Sequence, residues 1–153
     1  MQKEAPLELE EILAASDGSI GKALTLLDSS KREPLLKKRK LAREFIDLLL
    51  DKRNSLAALR LIKVLGEKRD ELISELQMIR LALRDLLVLK QNENAVLCFF
   101  PNREEALNLS DSFTTPKLLK LCNELDLACE KLRINANIRL TLTALAVGTG
   151  LLQ

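Results

Sequence analysis

The sequence predicts an all-α protein built as a helical bundle. Of its 153 residues, 47% are hydrophobic but only 3% are aromatic, and the hydrophobic residues are almost all Leu, Ala and Ile. This composition favours helices over strands. Apolar residues recur three and four positions apart along most of the chain, which is the repeat of an amphipathic helix. A chain of this length buries about two thirds of its unfolded surface on folding, so it supports a sizeable core.

The first thirty residues predict two short helices that meet at a tight corner. These helices are expected over 7–15 and 20–27. Gly18 ends the first helix and Ser19 caps the second. Lys22 then lies in a first turn, where the helix dipole disfavours a cation by roughly 0.3 to 1 kcal/mol. We therefore predict a binding site for an anion such as phosphate, formed by the free backbone N–H groups, Gly21 and this cation. A solvated lysine at an ordinary helix corner is the alternative.

A change of composition marks the start of a second region. The polar stretch DSSKREP separates the opening corner from the rest of the chain, and we place a domain boundary near residues 28–33. The two predicted domains are residues 1–30 and 31–153. Pro34 fits the first position of a new helix, where its missing N–H has no partner to lose. That helix is expected over 35–52.

Two further helices are predicted in the middle of the chain. The first begins with Asn54 or Ser55 as its cap and ends at Gly66. Its apolar positions are Leu56, Leu59, Ile62 and Leu65. The second is defined by apolar residues that step by four, three, four and three positions, the narrow stripe of a helix packed in a bundle. These residues are Leu72, Leu76, Ile79, Leu83 and Leu86.

The helical pattern loosens over residues 91–114. QNENAVLCFFPN predicts a loop or a buried extended segment held by Phe99 and Phe100, and REEALNL predicts a short helix. A long helix then begins, with Thr115 as its cap and Pro116 in its first turn.

The last predicted helix is short and ends in glycines. Asn137 is expected to cap it, and it runs through Ala146.

Residue types that support catalysis or metal binding are scarce. The chain has no His and no Tyr, and Cys98, Cys122 and Cys129 lack CxxC spacing. Cys122 and Cys129 share a face of a predicted helix, which is typical of small core residues. The chain has no GxxxxGK[ST] phosphate loop. We therefore expect no enzyme activity, no metal and no cofactor, and a reducing, cytoplasmic location.

The balance of charge favours no particular class of partner. The formal net charge is only +2, so no global field attracts nucleic acid or membrane. The longest apolar runs are too short to span a bilayer, and no signal peptide is expected.

One local basic run interrupts this even charge. It comprises Lys31, Arg32, Lys37, Lys38, Arg39, Lys40 and Arg43. Such a run can be a solvated face, a protein contact or a phosphate-binding track. No aromatic residues are interleaved to stack bases.

Three stretches of the chain resemble a known family. ASDGSIGKALTLLD resembles the sensor 2 segment of AAA+ lid domains. LALRDLLVLK resembles a collar helix, and LRINANIRLTLTAL resembles a closing helix in which Asn-x-Asn precedes Arg-Leu. Their order and spacing, over about residues 9–145, are similar to the delta prime subunits of the bacterial DNA polymerase III clamp loader. The gamma or tau subunits, whose collar domains share this architecture, are the alternative.

The resemblance implies a role in assembly. Residues 1–30 would end a lid domain, and residues 31–153 would form the helical collar domain that joins delta and gamma or tau subunits in a ring. Lys22, at a position that is often Arg in relatives, would face a nucleotide-binding module earlier in the full subunit, with Ser19 and Gly21 matching its small residues. Since delta prime subunits are generally not active ATPases, this site would be vestigial. DNA would be contacted only through the complex, and no membrane is implied.

The surface that meets neighbouring subunits is expected near the last helix corner. A bundle this rich in Leu predicts an apolar strip there, beside Arg133, Asn135, Asn137 and Arg139. The alternative is that the two asparagines only cap and turn the chain. Two other classes of function stay open, a helical adaptor unrelated to replication and a DNA-binding domain that uses the basic run.

Overall fold

A computed structural model describes residues 29–51, 55–65 and 67–152. In this part of the chain the structure consists of helices joined by loops, without strands. The helices are α1 (Ser29–Leu50), α2 (Ser55–Val64), α3 (Arg69–Leu89), α4 (Arg103–Asp111), α5 (Thr115–Arg133) and α6 (Ile138–Thr149). The predicted all-α bundle is confirmed. The helices predicted over 7–15 and 20–27 lie outside the described residues.

Helix α3 is the centre of the bundle and packs against α1, α4 and α5. The five apolar residues that predicted it are all fully buried. Burying each of these side chains stabilises the fold by about 1.5–3 kcal/mol. Helix α6 packs against α5, and α2 packs against α1, so the shorter helices flank the three long ones.

Helix α1 begins earlier than the sequence predicted. It is already helical at Ser29, and Pro34 lies inside it, so the assignment of Pro34 to the first position was wrong. A proline removes one helical hydrogen bond, but Lys, Arg and Glu in the preceding turn are good helix formers. The helix ends at Leu50, two residues before the predicted end. The domain boundary near residues 28–33 stays a prediction.

Helix α2 faces the core with only some of the expected residues, since Leu65 and Ile62 pack there but Leu56 and Leu59 do not. Ala58, Leu61 and Leu65 are buried, whereas Leu56 is 70% exposed and Leu59 is 45% exposed. The helix carries apolar residues on more than one face, with Arg60 and Lys63 as its charged residues, so spacing alone did not identify the buried face. Ser55 is the first helical residue, not the cap. Asn54 and Gly66 lie outside the described residues.

The segment between α3 and α4 is a loop that buried side chains hold in place. Phe99 and Phe100 are buried, as predicted, and their rings meet edge to face with centroids 4.9 Å apart. The fully buried carboxylate of Asp85 on α3 accepts hydrogen bonds from the backbone N–H groups of Cys98 (2.9 Å), Phe99 (2.7 Å) and Phe100 (3.2 Å). Three N–H groups that have no helical partner are thereby satisfied.

The helix ends that follow the loop agree with the sequence to within a few residues. Thr114, one residue before the predicted cap, accepts from the N–H of Lys117, and Pro116 lies in the first turn of α5. Asn137 caps α6, as predicted. Helix α6 continues to Thr149, past the predicted end at Ala146. It ends at Gly150, whose φ of 81° is the left-handed conformation that glycine adopts without strain.

Candidate subunit interface

Two groups of residues were predicted to form sites, and the structure describes one of them. Ser19, Gly21 and Lys22 lie outside the described residues, so the sensor-like corner stays a prediction. Arg133 is the last residue of α5, Asn135 and Asn137 lie in the turn between α5 and α6, and Arg139 lies in the first turn of α6. All four are exposed.

Asn135 ends helix α5 in a left-handed conformation, with a φ of 63°. Its N–H donates to the carbonyl of Leu132 (3.2 Å), and the N–H of Ala136 donates to the carbonyl of Lys131 (3.0 Å). This pair of bonds is the Schellman motif, which satisfies carbonyls at a helix C-terminus. Asparagine adopts this conformation more readily than other residues that have a Cβ.

Asn137 begins helix α6 two residues later. Its side-chain oxygen accepts from the N–H of Leu140 at 3.1 Å, and its carbonyl accepts from both the N–H and the hydroxyl of Thr141. The two asparagines therefore have the capping and turning roles that were the alternative to an interface. A role in the interface stays a prediction for them.

A residue distant in sequence fixes this turn. Arg69, at the start of α3, donates from one guanidinium nitrogen to the carbonyls of Leu132 (2.7 Å) and Ala136 (2.9 Å). The cation thus lies at the C-terminal end of α5, where the helix dipole is negative. Sequence reasoning missed this contact because no local pattern links residues more than sixty positions apart.

The exposed side of the turn combines apolar and basic side chains. Ile134 is 79% exposed and Leu140 is 72% exposed. Arg133 and Arg139, the residues next to them in sequence, are exposed as well. Apolar groups beside arginines are typical of protein interfaces, in which arginine is enriched.

Helix α6 continues this apolar surface along its outer face. Its inner face packs Leu142, Leu145 and Ala146 into the core. Its outer face presents Leu140, Thr143, Ala144 and Val147 at helical spacing, and all four are exposed. Arg139 is the one charged residue of the twelve in this helix. A helix that is apolar all round is normally buried, so the outer face has the composition of a contact surface.

A second exposed apolar surface lies on α2 and the end of α1. Leu50, Leu56, Leu59 and Val64 are all large apolar residues that are at least 39% exposed. Beside them runs a shallow groove of about 310 Å³. The groove is lined by Glu44, Asp47, Leu48, Ala57, Arg60, Leu61 and Val64.

Three residues of the basic run contact other parts of the bundle. Arg39 is 3% exposed, and its guanidinium lies 4.5 Å from the centre of the Phe99 ring and donates to the carbonyl of Phe99. Lys38 donates to the hydroxyl of Ser74 at 2.8 Å, and Arg43 pairs with Glu105. The interpretation of the run as one solvated face is therefore wrong for these cations. The contacts also leave fewer charges for a phosphate track.

The thiols and carboxylates of the described residues form no metal-binding cluster. Cys122 and Cys129 are buried, as expected for core residues, and burial raises the pKa of both thiols. In the described ranges, no three His, Cys, Asp or Glu side chains come together in a way that would hold a metal ion. Within the same ranges, none of the helices combines the length and apolar character that crossing a membrane requires.

Comparison of the chain with protein-family models, with curated proteins and with solved structures found no match. The resemblance to clamp-loader subunits therefore stays a prediction from the sequence.

Proposed function

We propose that this chain is a non-catalytic assembly domain of the clamp-loader type, most similar to the C-terminal part of a delta prime subunit of bacterial DNA polymerase III. Its helical bundle would be a collar domain that joins delta and gamma or tau subunits, and so helps to load the sliding clamp during DNA replication. The observation that carries the proposal is the presence of two exposed apolar surfaces, on α2 and α6, outside a core that is already well packed.

A place in a ring requires two such surfaces. A subunit of a closed ring meets one neighbour on each side, and the two contacts use different patches. The α6 surface, with Arg133 and Arg139 at its edge, supplies one patch, and the α2 surface supplies the other. Stable interfaces bury on the order of 1,200–2,000 Å², so each patch would extend beyond its exposed apolar residues onto polar neighbours.

The rival proposals use the same features differently. A gamma or tau collar domain would present the same bundle, and an unrelated helical adaptor would use the same exposed apolar residues. The DNA-binding alternative is weakened, because Lys38, Arg39 and Arg43 contact the rest of the bundle.

Co-assembly with sister subunits tests the proposal. The full chain is mixed with the C-terminal domains of delta and of gamma or tau, and the products are weighed by sedimentation velocity. We expect a complex that contains all three components at micromolar concentration. Absence of any complex at that concentration would count against an assembly role in a clamp loader.

Matched variants show which surface is used. Leu59→Glu on α2 and Leu140→Glu on α6 each place a charge on one apolar surface, and we expect each to weaken one of the two contacts at least about tenfold. Val96→Glu is the control, because Val96 is 77% exposed in the loop between α3 and α4. Equal losses from all three variants would show that the surfaces are not specific contacts.

A further inference from the structure

We draw no further inference here: the strongest candidate, the shallow apolar groove between α1 and α2 that Glu44, Asp47 and Arg60 border, carries none, because carboxylates and a guanidinium border it alike and nothing in the structure shows what covers it.

Discussion

Single buried polar side chains determine the path of the chain between its helices. The Asp85 carboxylate accepts hydrogen bonds from three consecutive backbone N–H groups of the loop that follows α3. Arg84, its neighbour in sequence, lies 3.0 Å from the same carboxylate. On the other side of the loop, Arg39 stacks on Phe99 and donates to its carbonyl. Asp85 and Arg39 are thus among the side chains that hold the loop, and the buried backbone groups that they contact are paired.

Replacing Asp85 by Asn should destabilise the protein by about 1–3 kcal/mol. The amide oxygen can take the place of Oδ2, which accepts from all three N–H groups, but an N–H₂ group then replaces Oδ1, which accepts from Arg84 and Cys98. A charged acceptor is thereby lost, and a donor faces other donors. Urea denaturation followed by circular dichroism measures the change. Asp111→Asn is the control, because the Asp111 side chain is 83% exposed, and we expect it to change stability by less than about 0.5 kcal/mol. Equal effects of the two substitutions would show that Asp85 does not hold the loop.

Asn135 provides a second test at the level of one residue. Asn135→Ala places a residue with no local polar group in the left-handed conformation, and we expect it to cost about 1 kcal/mol. Asn135→Gly removes the steric restriction and should be neutral to within about 0.5 kcal/mol. The two free energies of unfolding are compared by urea denaturation. If the Gly variant were less stable than the Ala variant, the backbone conformation of the turn would not be what requires Asn135.

At the scale of helices, the sequence predicted best where apolar residues recur regularly over several turns. The stripe of α3 identified five buried residues because it continues from Leu72 to Leu86 in steps of three and four. In α2, apolar side chains such as Leu56 and Leu61 lie on different faces, so the choice of the buried face depended on how α2 packs against α1. The early start of α1 was not predicted, because Pro34 is typical of a first helical position. The residues before it, Lys, Arg and Glu, are nevertheless good helix formers.

Helix α5 gives the protein a predictable response to alkaline pH. Burial raises the pKa of the Cys122 and Cys129 thiols above that of an exposed thiol, so the folded chain keeps both thiols protonated at a pH where the unfolded chain ionises them. The unfolded state then binds fewer protons than the folded state, and stability falls as the pH rises. The stabilisation is complete below about pH 8.5, the ordinary pKa of a thiol, and is lost above it.

The free energy of unfolding at pH 7.5 and pH 10, measured in urea under reducing conditions, should show this loss. Since lysines also titrate near pH 10, the comparison is made with the double variant Cys122→Ala, Cys129→Ala. We expect the variant to be less stable at pH 7.5, because two core side chains are shortened, but to lose less stability on going to pH 10. An equal pH dependence in the two proteins would exclude the thiols as its cause.

At the scale of the whole molecule, contacts between residues distant in sequence determine the surroundings of the corner between α5 and α6 and of the basic run. The corner residues Asn135 and Asn137 could be identified from the sequence because capping and left-handed turns are local. The support from Arg69 could not, since it depends on how α3 packs against α5. The basic run was misjudged for the same reason, because its cations meet Phe99, Ser74 and Glu105 only in the folded bundle.

Because Lys38, Arg39 and Arg43 contact other parts of the bundle, we predict that the basic run binds DNA only weakly. Among the residues of the run whose side chains are described, Lys37 and Lys40 are exposed, whereas the others are at least half-buried. Two exposed lysines on a chain of net charge +2 give weak, non-specific binding at most, with a dissociation constant of about 10⁻⁴ M or weaker at physiological salt. Fluorescence anisotropy with a labelled duplex and a labelled single strand, at several salt concentrations, measures this. The double variant Lys37→Glu, Lys40→Glu should then bind DNA undetectably and unfold at the same urea concentration as the wild type. Micromolar binding that declines steeply with salt would instead make the basic run a nucleic-acid interface, since the slope counts the phosphates that the protein neutralises.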